Sequence, residues 1–407
     1  MSAMSADRWR APSPLRRAVR AAALLALAGA AGGCVPYRLV RHGYLAPDRQ
    51  ERVFARRVVH RADRPFRFAR APERTDLDTI TVRSFDGRSV SWAEYMRVAR
   101  VRAFLVVRQD TILYERYLDG YTDSTRSGSY SMAKAFTSAL LGIALGDSAV
   151  RSLDDSVTRY VPELARNPTW TGVTLRHALE MRTGTAYERA SGSTWHDLRS
   201  DDARYYYTGH LDRALAAARR VEPPGGRWAY RDSDAQLIAL VLARATSRPL
   251  AEQLERRVWR RIGTEFDASW SLDRTGGSEK AATGVNATAR DYARFGRLFL
   301  HGGAWEGEQL VPRDWVERST TLDTTRTRPE VGTWWRMQHR TYWWIPMRDW
   351  ARERDFFADG AKGQRLYVHR PSGTIIVQLA DSDEQDFPFR RITHYLLGEP
   401  YAYPVHR

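Results

Sequence analysis

The chain has 407 residues, of which 43% are hydrophobic, 11% aromatic and 28% charged. That composition excludes a disordered or fibrous protein and leaves room for one large domain or two to three small ones. The single cysteine excludes a disulfide framework and a cysteine-based metal site, and the +16 formal charge is scattered arginine, with lysine only at Lys134, Lys280 and Lys362, so no nucleic-acid partner is expected.

In chain order, Arg8, Arg10, Arg16, Arg17 and Arg20 precede an apolar run from Ala21 to Ala31. The run is too short to span a bilayer and suits a signal-peptide core. It ends in Ala31-Gly32-Gly33-Cys34, which resembles a bacterial lipobox with Ala31 in place of the usual leucine. The resemblance implies a signal peptide over residues 1–33, lipidation of Cys34, and an exported protein held at the bacterial envelope by its acyl chains. A plain secretory signal with a chance cysteine is the alternative. Residues from about 35 to 75 are arginine-rich without a clear period, and 34–84 are expected to form a weakly structured tether, either near anionic lipid or as a solvated linker.

Phe104-Leu105-Val106-Val107 and Ile112-Leu113-Tyr114 read as strands joined by a turn at Gln109-Asp110. A long apolar helix is expected from Ser131 to about Leu145. Further helices are expected over Thr174–Met181, Leu211–Arg219 and Ala235–Ala245. Tyr367-Val368 and Thr374–Leu379, separated by Pro371-Ser372-Gly373, make a second hairpin, and Phe389–Leu397 a closing helix. Strands at both ends with helices between predict an α/β (α+β) fold, an antiparallel sheet flanked by helices with an inserted, mainly helical subdomain.

The main chemical signal is Ser131-Met132-Ala133-Lys134. Serine and lysine three apart at a helix start share one face. The helix N-terminus favours a developing alkoxide, and a neighbouring amine can accept the hydroxyl proton if burial lowers its pKa. An N-cap serine beside an unrelated solvated lysine is the structural alternative. The apolar run Ala135 to Ile143 weighs against it, because a lysine opening such a helix is partly buried.

Ser131-Met132-Ala133-Lys134-Ala135-Phe136-Thr137-Ser138 resembles the nucleophile segment of the serine β-lactamase and penicillin-binding-protein superfamily. It is most similar to class C-like esterases and 6-aminohexanoate-dimer hydrolases. The resemblance continues through Tyr114-Glu115-Arg116-Tyr117, Leu153-Asp154-Asp155-Ser156-Val157, Met181-Arg182-Thr183-Gly184 and Pro224-Gly225-Gly226-Arg227-Trp228-Ala229-Tyr230. It covers roughly residues 85–400, leaving 401–407 as a tail, and implies a β-lactamase/transpeptidase-like fold. The family's Tyr-x-Asn motif falls on Tyr230-Arg231-Asp232, with Ser233 leaving the register open. By resemblance Tyr230 shuttles the proton between Ser131, Lys134 and the leaving group. Asp232 departs from the common asparagine. Near Lys134 it would keep the lysine charged and shift the base role to Tyr230; alternatively it recognises a substrate cation.

The family's third motif corresponds to Phe357-Ala358-Asp359-Gly360-Ala361-Lys362-Gly363-Gln364, which has no Lys-Thr-Gly. By resemblance the N–H of Gly360 or Ala361 joins that of Ser131 in an oxyanion hole, while Lys362 either binds substrate or is simply exposed. Tyr187 is expected to line the site. Trp334, Trp335, Trp343, Trp344 and Trp350 suit an aromatic wall or ordinary loop packing.

No His-Glu-x-x-His and no Gly-x-Ser-x-Gly is present, which disfavours a metal hydrolase and an α/β-hydrolase. The expected function is a serine hydrolase acting through an acyl-enzyme on Ser131, with no cofactor, on a small ester, amide or peptide-like substrate. The alternatives are a non-catalytic relative binding peptidoglycan or another envelope ligand, and a penicillin-binding protein or β-lactamase.

Overall fold

The computed structural model describes residues 35–83, 88–191, 193–325, 337–347, 353–382 and 388–401. Two compact units divide the chain: Met1–Leu45 with Tyr187–Gly209, and Ala46–Ala186 with His210–Arg407.

In the first unit, a helix over Val35–His42 and another over Asp201–Tyr207 are joined by Arg38, which donates to the Tyr207 carbonyl at 2.9 Å.

The second unit begins with β1 (Arg56–Val59) and β2 (Ala69–Arg70). The first predicted hairpin follows as β3 (Val101–Arg108) and β4 (Thr111–Tyr117). Its turn residues Gln109 and Asp110 both have positive φ, 47° and 60°, the left-handed geometry that a tight hairpin turn demands. A short strand β5 (Ser127–Gly128) precedes helix α1 (Ala133–Gly146). Helix α2 (Asp232–Thr246), strands β6 (Ala268–Ser271) and β7 (Val285–Ala287), and helix α3 (Ala289–Leu300) follow. The chain then adds β8 (Met337–Arg340), β9 (Trp343–Pro346), β10 (Asp355–Gly360), β11 (Gln364–His369), β12 (Thr374–Ala380) and helix α4 (Phe389–Leu397).

Eight strands form the main sheet in the order β8-β9-β10-β11-β12-β3-β4-β2. Every neighbouring pair is antiparallel except β2 with β4. Strand β12 is buried at all seven positions, because both faces of the sheet are covered. On one face Phe104, Val106, Tyr114, Tyr367 and Ile376 pack with Trp92, Tyr95, Phe389 and Ile392. On the other, α3 lies close enough that a Cβ at Gly296 would stand 2.8 Å from Leu366 Cδ1. This double burial explains why Phe104–Val107 and Thr374–Leu379 read as near-continuous apolar runs rather than alternating ones. A smaller antiparallel sheet has the order β1-β6-β7-β5.

The extension departs from the expectation of a weakly structured tether. Strand β1 pairs with β6 from Arg56↔Ser271 to Val59↔Ala268. Leu77, Ile80 and Val82 enter the main core. Several arginines have acidic partners, among them Arg57 with Glu279 and Arg70 with Glu115. Four-residue strands are too short to show a period, and their arginines disguise the apolar anchors.

Candidate active site

Ser131 occupies a 3₁₀ turn, Tyr130–Met132, that leads directly into α1. Tyr130 has φ 44°, a left-handed conformation that costs energy for a non-glycine residue and recurs at functional sites. Ser131 is half-buried, whereas residues 132–144 are all buried. The turn thus leaves the hydroxyl at the end of an otherwise enclosed helix.

Lys134, one turn on, is 1% exposed. Its ammonium reaches Ser131 Oγ at 2.8 Å, Asp232 Oδ1 at 2.7 Å and the Ala282 carbonyl at 3.2 Å. The nitrogen lies 4.7 Å from the centre of the Tyr230 ring. Burial alone pushes a lysine pKa down; here the Asp232 carboxylate and then Tyr230 outweigh it, and the net direction is up. Lys134 is therefore a cation that donates to Ser131.

The two residues left open in the second motif make different contacts. Asp232, in the first turn of α2, meets Lys134, whereas Ser233 donates to Asp234 Oδ1 at 3.4 Å. A carboxylate suits the positive end of a helix. Arg231 faces the other way, with its guanidinium on the carbonyls of Thr185 (2.9 Å), Met181 (3.0 Å) and Ala229 (3.2 Å). It ties the Tyr230 segment to the Met181–Thr185 loop.

Tyr230 stacks on Trp344, with centroids 5.9 Å apart and planes at 18°, and meets Trp228 at 6.3 Å and His339 at 5.6 Å. Burial, with the Lys134 charge second, pushes His339 down to about 3, so its imidazole is neutral. The tryptophan cluster divides. Trp344 belongs to this aromatic group, whereas Trp343 is fully buried against Phe295, Phe299 and Phe356. Trp334, Trp335 and Trp350 lie outside the described residues.

Strand β10 ends beside the serine. A Cβ built on Gly360 would lie 2.2 Å from the Ser129 carbonyl oxygen and 3.2 Å from the Ser131 nitrogen. Only glycine allows this approach. Ala361 follows in an exposed turn, and Gln364 fixes that turn by donating to the carbonyls of Lys362 (3.0 Å) and Ala380 (2.5 Å). Lys362 is ion-paired with Asp381 at 3.4 Å.

The second unit therefore brings together Ser131, Lys134, Tyr230 and Asp232, with Gly360 and Ala361 adjoining. Tyr187 belongs to the first unit, where its hydroxyl donates to Asp202 at 2.7 Å and its ring stacks on Tyr205. Cys34 lies outside the described residues. Three participants carried no usable sequence signal. Ala282 acts through its carbonyl, so its residue type is uninformative. His339 stands in no motif. Gln236, bonded to the backbone of Glu279 and Ala281, stands in no motif. Among the described residues, no group of three or more His, Cys, Asp or Glu is arranged to hold a metal.

A mixed α/β fold with a large, mostly antiparallel sheet is of the β-lactamase/transpeptidase-like class. Residues 97–398 match the family model Beta-lactamase, and the chain belongs to that family. It is 26% identical over 302 residues to the 6-aminohexanoate-dimer hydrolase of Paenarthrobacter ureafaciens, covering 70% of this chain and 73% of that one. A solved Bacillus anthracis structure assigned as a 6-aminohexanoate-dimer hydrolase superposes with TM-score 0.77 at 25% identity, over 90% of this chain and 96% of that one. A class C beta-lactamase superposes with TM-score 0.54 at 14% identity, over 77% and 95% of the two chains, a likeness of fold alone. The protein is a beta-lactamase-family hydrolase.

Proposed function

We propose that this hydrolase cleaves an amide or ester bond through an acyl-enzyme on Ser131. The observation that carries the reading is the Lys134 ammonium, 2.8 Å from Ser131 Oγ and 2.7 Å from Asp232 Oδ1. A lysine held charged by a carboxylate donates to the serine oxygen and cannot take its proton. As Ser131 Oγ bonds to the substrate carbonyl carbon, its proton passes to the Tyr230 oxygen while the proton that Tyr230 carried moves on to the leaving-group atom. Negative charge on the carbonyl oxygen is met by the backbone N–H groups of Ser131 and of Gly360 or Ala361. Collapse breaks the bond to the leaving group, which departs with the proton that Tyr230 passed to it. Water then attacks the acyl-enzyme, and the acid product leaves with Ser131 restored.

An amide substrate is favoured over a β-lactam. The named relative acts on a 6-aminohexanoate dimer, and the turn after the strand beside Ser131 carries Lys362 already paired with Asp381 in place of a Lys-Thr-Gly lysine. The intact Ser131–Lys134–Tyr230 group weighs against a purely binding role. The test is to expose the protein and Ser131→Ala to a fluorophosphonate, a short p-nitrophenyl ester, 6-aminohexanoate dimer and nitrocefin. Covalent mass gain and turnover in the parent alone, with nitrocefin left intact, are expected. An unlabelled, inactive parent that still binds peptidoglycan fragments would establish the binding reading instead.

A further inference from the structure

The third acceptor of Lys134, the Ala282 carbonyl, belongs to the turn between β6 and β7. Both helices that carry the site grip this turn. Gln236, 3% exposed, lies four residues after Asp232 and so on the same face of α2. Its Nε2 donates to the Glu279 carbonyl at 2.9 Å, and its Oε1 accepts from the Ala281 N–H at 3.1 Å. Thr137, fully buried and three residues after Lys134 on α1, donates to the Ala281 carbonyl at 3.3 Å. The indole of Trp270 donates to the Lys280 carbonyl at 3.1 Å.

We propose that Gln236 is a positioning residue: its amide, bonded in both directions to the backbone of residues 279 and 281, aims the Ala282 carbonyl at Lys134 and keeps the lysine a hydrogen-bond donor to Ser131. This rests on the role proposed above for Lys134. The two-way bond requires a side-chain amide, which donates and accepts at once. A glutamate would set its oxygen against the Glu279 carbonyl, and an apolar residue would release both backbone groups into a buried space. One face of α2 thus supplies two of the three acceptors of the ammonium, Asp232 directly and Ala282 through Gln236.

The chain has three lysines, so protein labelled with [ε-¹³C]lysine gives three resonances, and Lys134→Gln identifies the one that matters. Its pH titration reads Lys134 without turnover. In the parent, the resonance keeps its ammonium position above the ordinary lysine value of ~10.4. In Gln236→Met the midpoint is expected to fall by about one pH unit, and fluorophosphonate labelling of Ser131 to slow roughly tenfold. Gln253→Met removes an amide of similar burial that donates to the Arg248 carbonyl at 2.8 Å; it controls for lost stability and is expected to move neither. Thr137→Val frees the same turn from the other helix, and a smaller shift in the same direction is expected should Gln236→Met fail to fold. A Lys134 titration unchanged in Gln236→Met, or equally shifted in Gln253→Met, would overturn the proposal. Failure of the parent to label at Ser131 is a separate readout and would count against the hydrolase reading alone.

Discussion

Asp232 distinguishes this site from a Tyr-x-Asn arrangement, because an amide in its place would solvate Lys134 without a countercharge. The carboxylate 2.7 Å from the ammonium is the main force that raises the lysine against the effect of its burial. If the cationic lysine is the working form, Asp232→Asn lets it deprotonate at lower pH. The alkaline limb of kcat/KM against pH is expected to move down by about one unit or more. A pH–rate profile with the limb in its original place would show that Asp232 serves substrate binding instead. Ser131, Lys134, Tyr230 and Asp232 were legible in the sequence because local spacing and motif order mark them. Gln236 and Ala282 were not. One acts through backbone and the other on backbone 43 residues away, and such partnerships leave no local pattern.

At the scale of elements, the site depends on β10 ending against the turn before α1. Gly360 is the point of closest approach, and the atom that a methyl group would strike is the carbonyl of Ser129, which cannot rotate aside. Gly360→Ala is expected to displace β10 or the serine turn, costing about 1–3 kcal/mol of stability and at least roughly tenfold in acylation rate. Denaturant unfolding and the rate of fluorophosphonate labelling measure the two effects. Normal stability and labelling would show that the backbone yields there without consequence for Ser131. The elements themselves were largely visible in advance. The 131–145 helix, the 367–379 hairpin and the closing helix at 389–397 match α1, β11–β12 and α4: α1 and β12 are long apolar runs, Pro371-Ser372-Gly373 marks the hairpin turn, and Phe389, Ile392 and Leu396 recur at helical spacing before Gly398. The extension was misread. The pairing of β1 with β6 joins residues more than 200 positions apart, and such a partner cannot be inferred from either strand alone.

For the whole molecule, the feature with the clearest consequence for stability is Asp234. It is fully buried, accepts from Thr183 Oγ1 at 2.8 Å, and among the described residues has no hydrogen-bond partner at Oδ2. Burial pushes its carboxyl up from 3.8 to about 7, against the pull of Arg231 and Thr183. The folded chain therefore holds a proton that the unfolded chain releases. This contribution to stability is full below the unfolded value and is lost as pH rises through about 7. The Tm advantage of Asp234→Asn over the parent is expected to grow by roughly 3–5 °C between about pH 5 and about pH 8. A calorimetric difference that stays flat with pH would show that the carboxyl is charged in the fold throughout.

By itself the sequence determined the family, the order of the main elements and a serine–lysine–tyrosine set, since these are written in apolar runs and in residues one helical turn apart. Tertiary structure alone decided the charge state of the lysine, the closeness of Gly360 to the nucleophile and the pairing of the extension. Each of these depends on desolvation or on contact between distant segments, and neither is a property of a stretch of chain read in isolation.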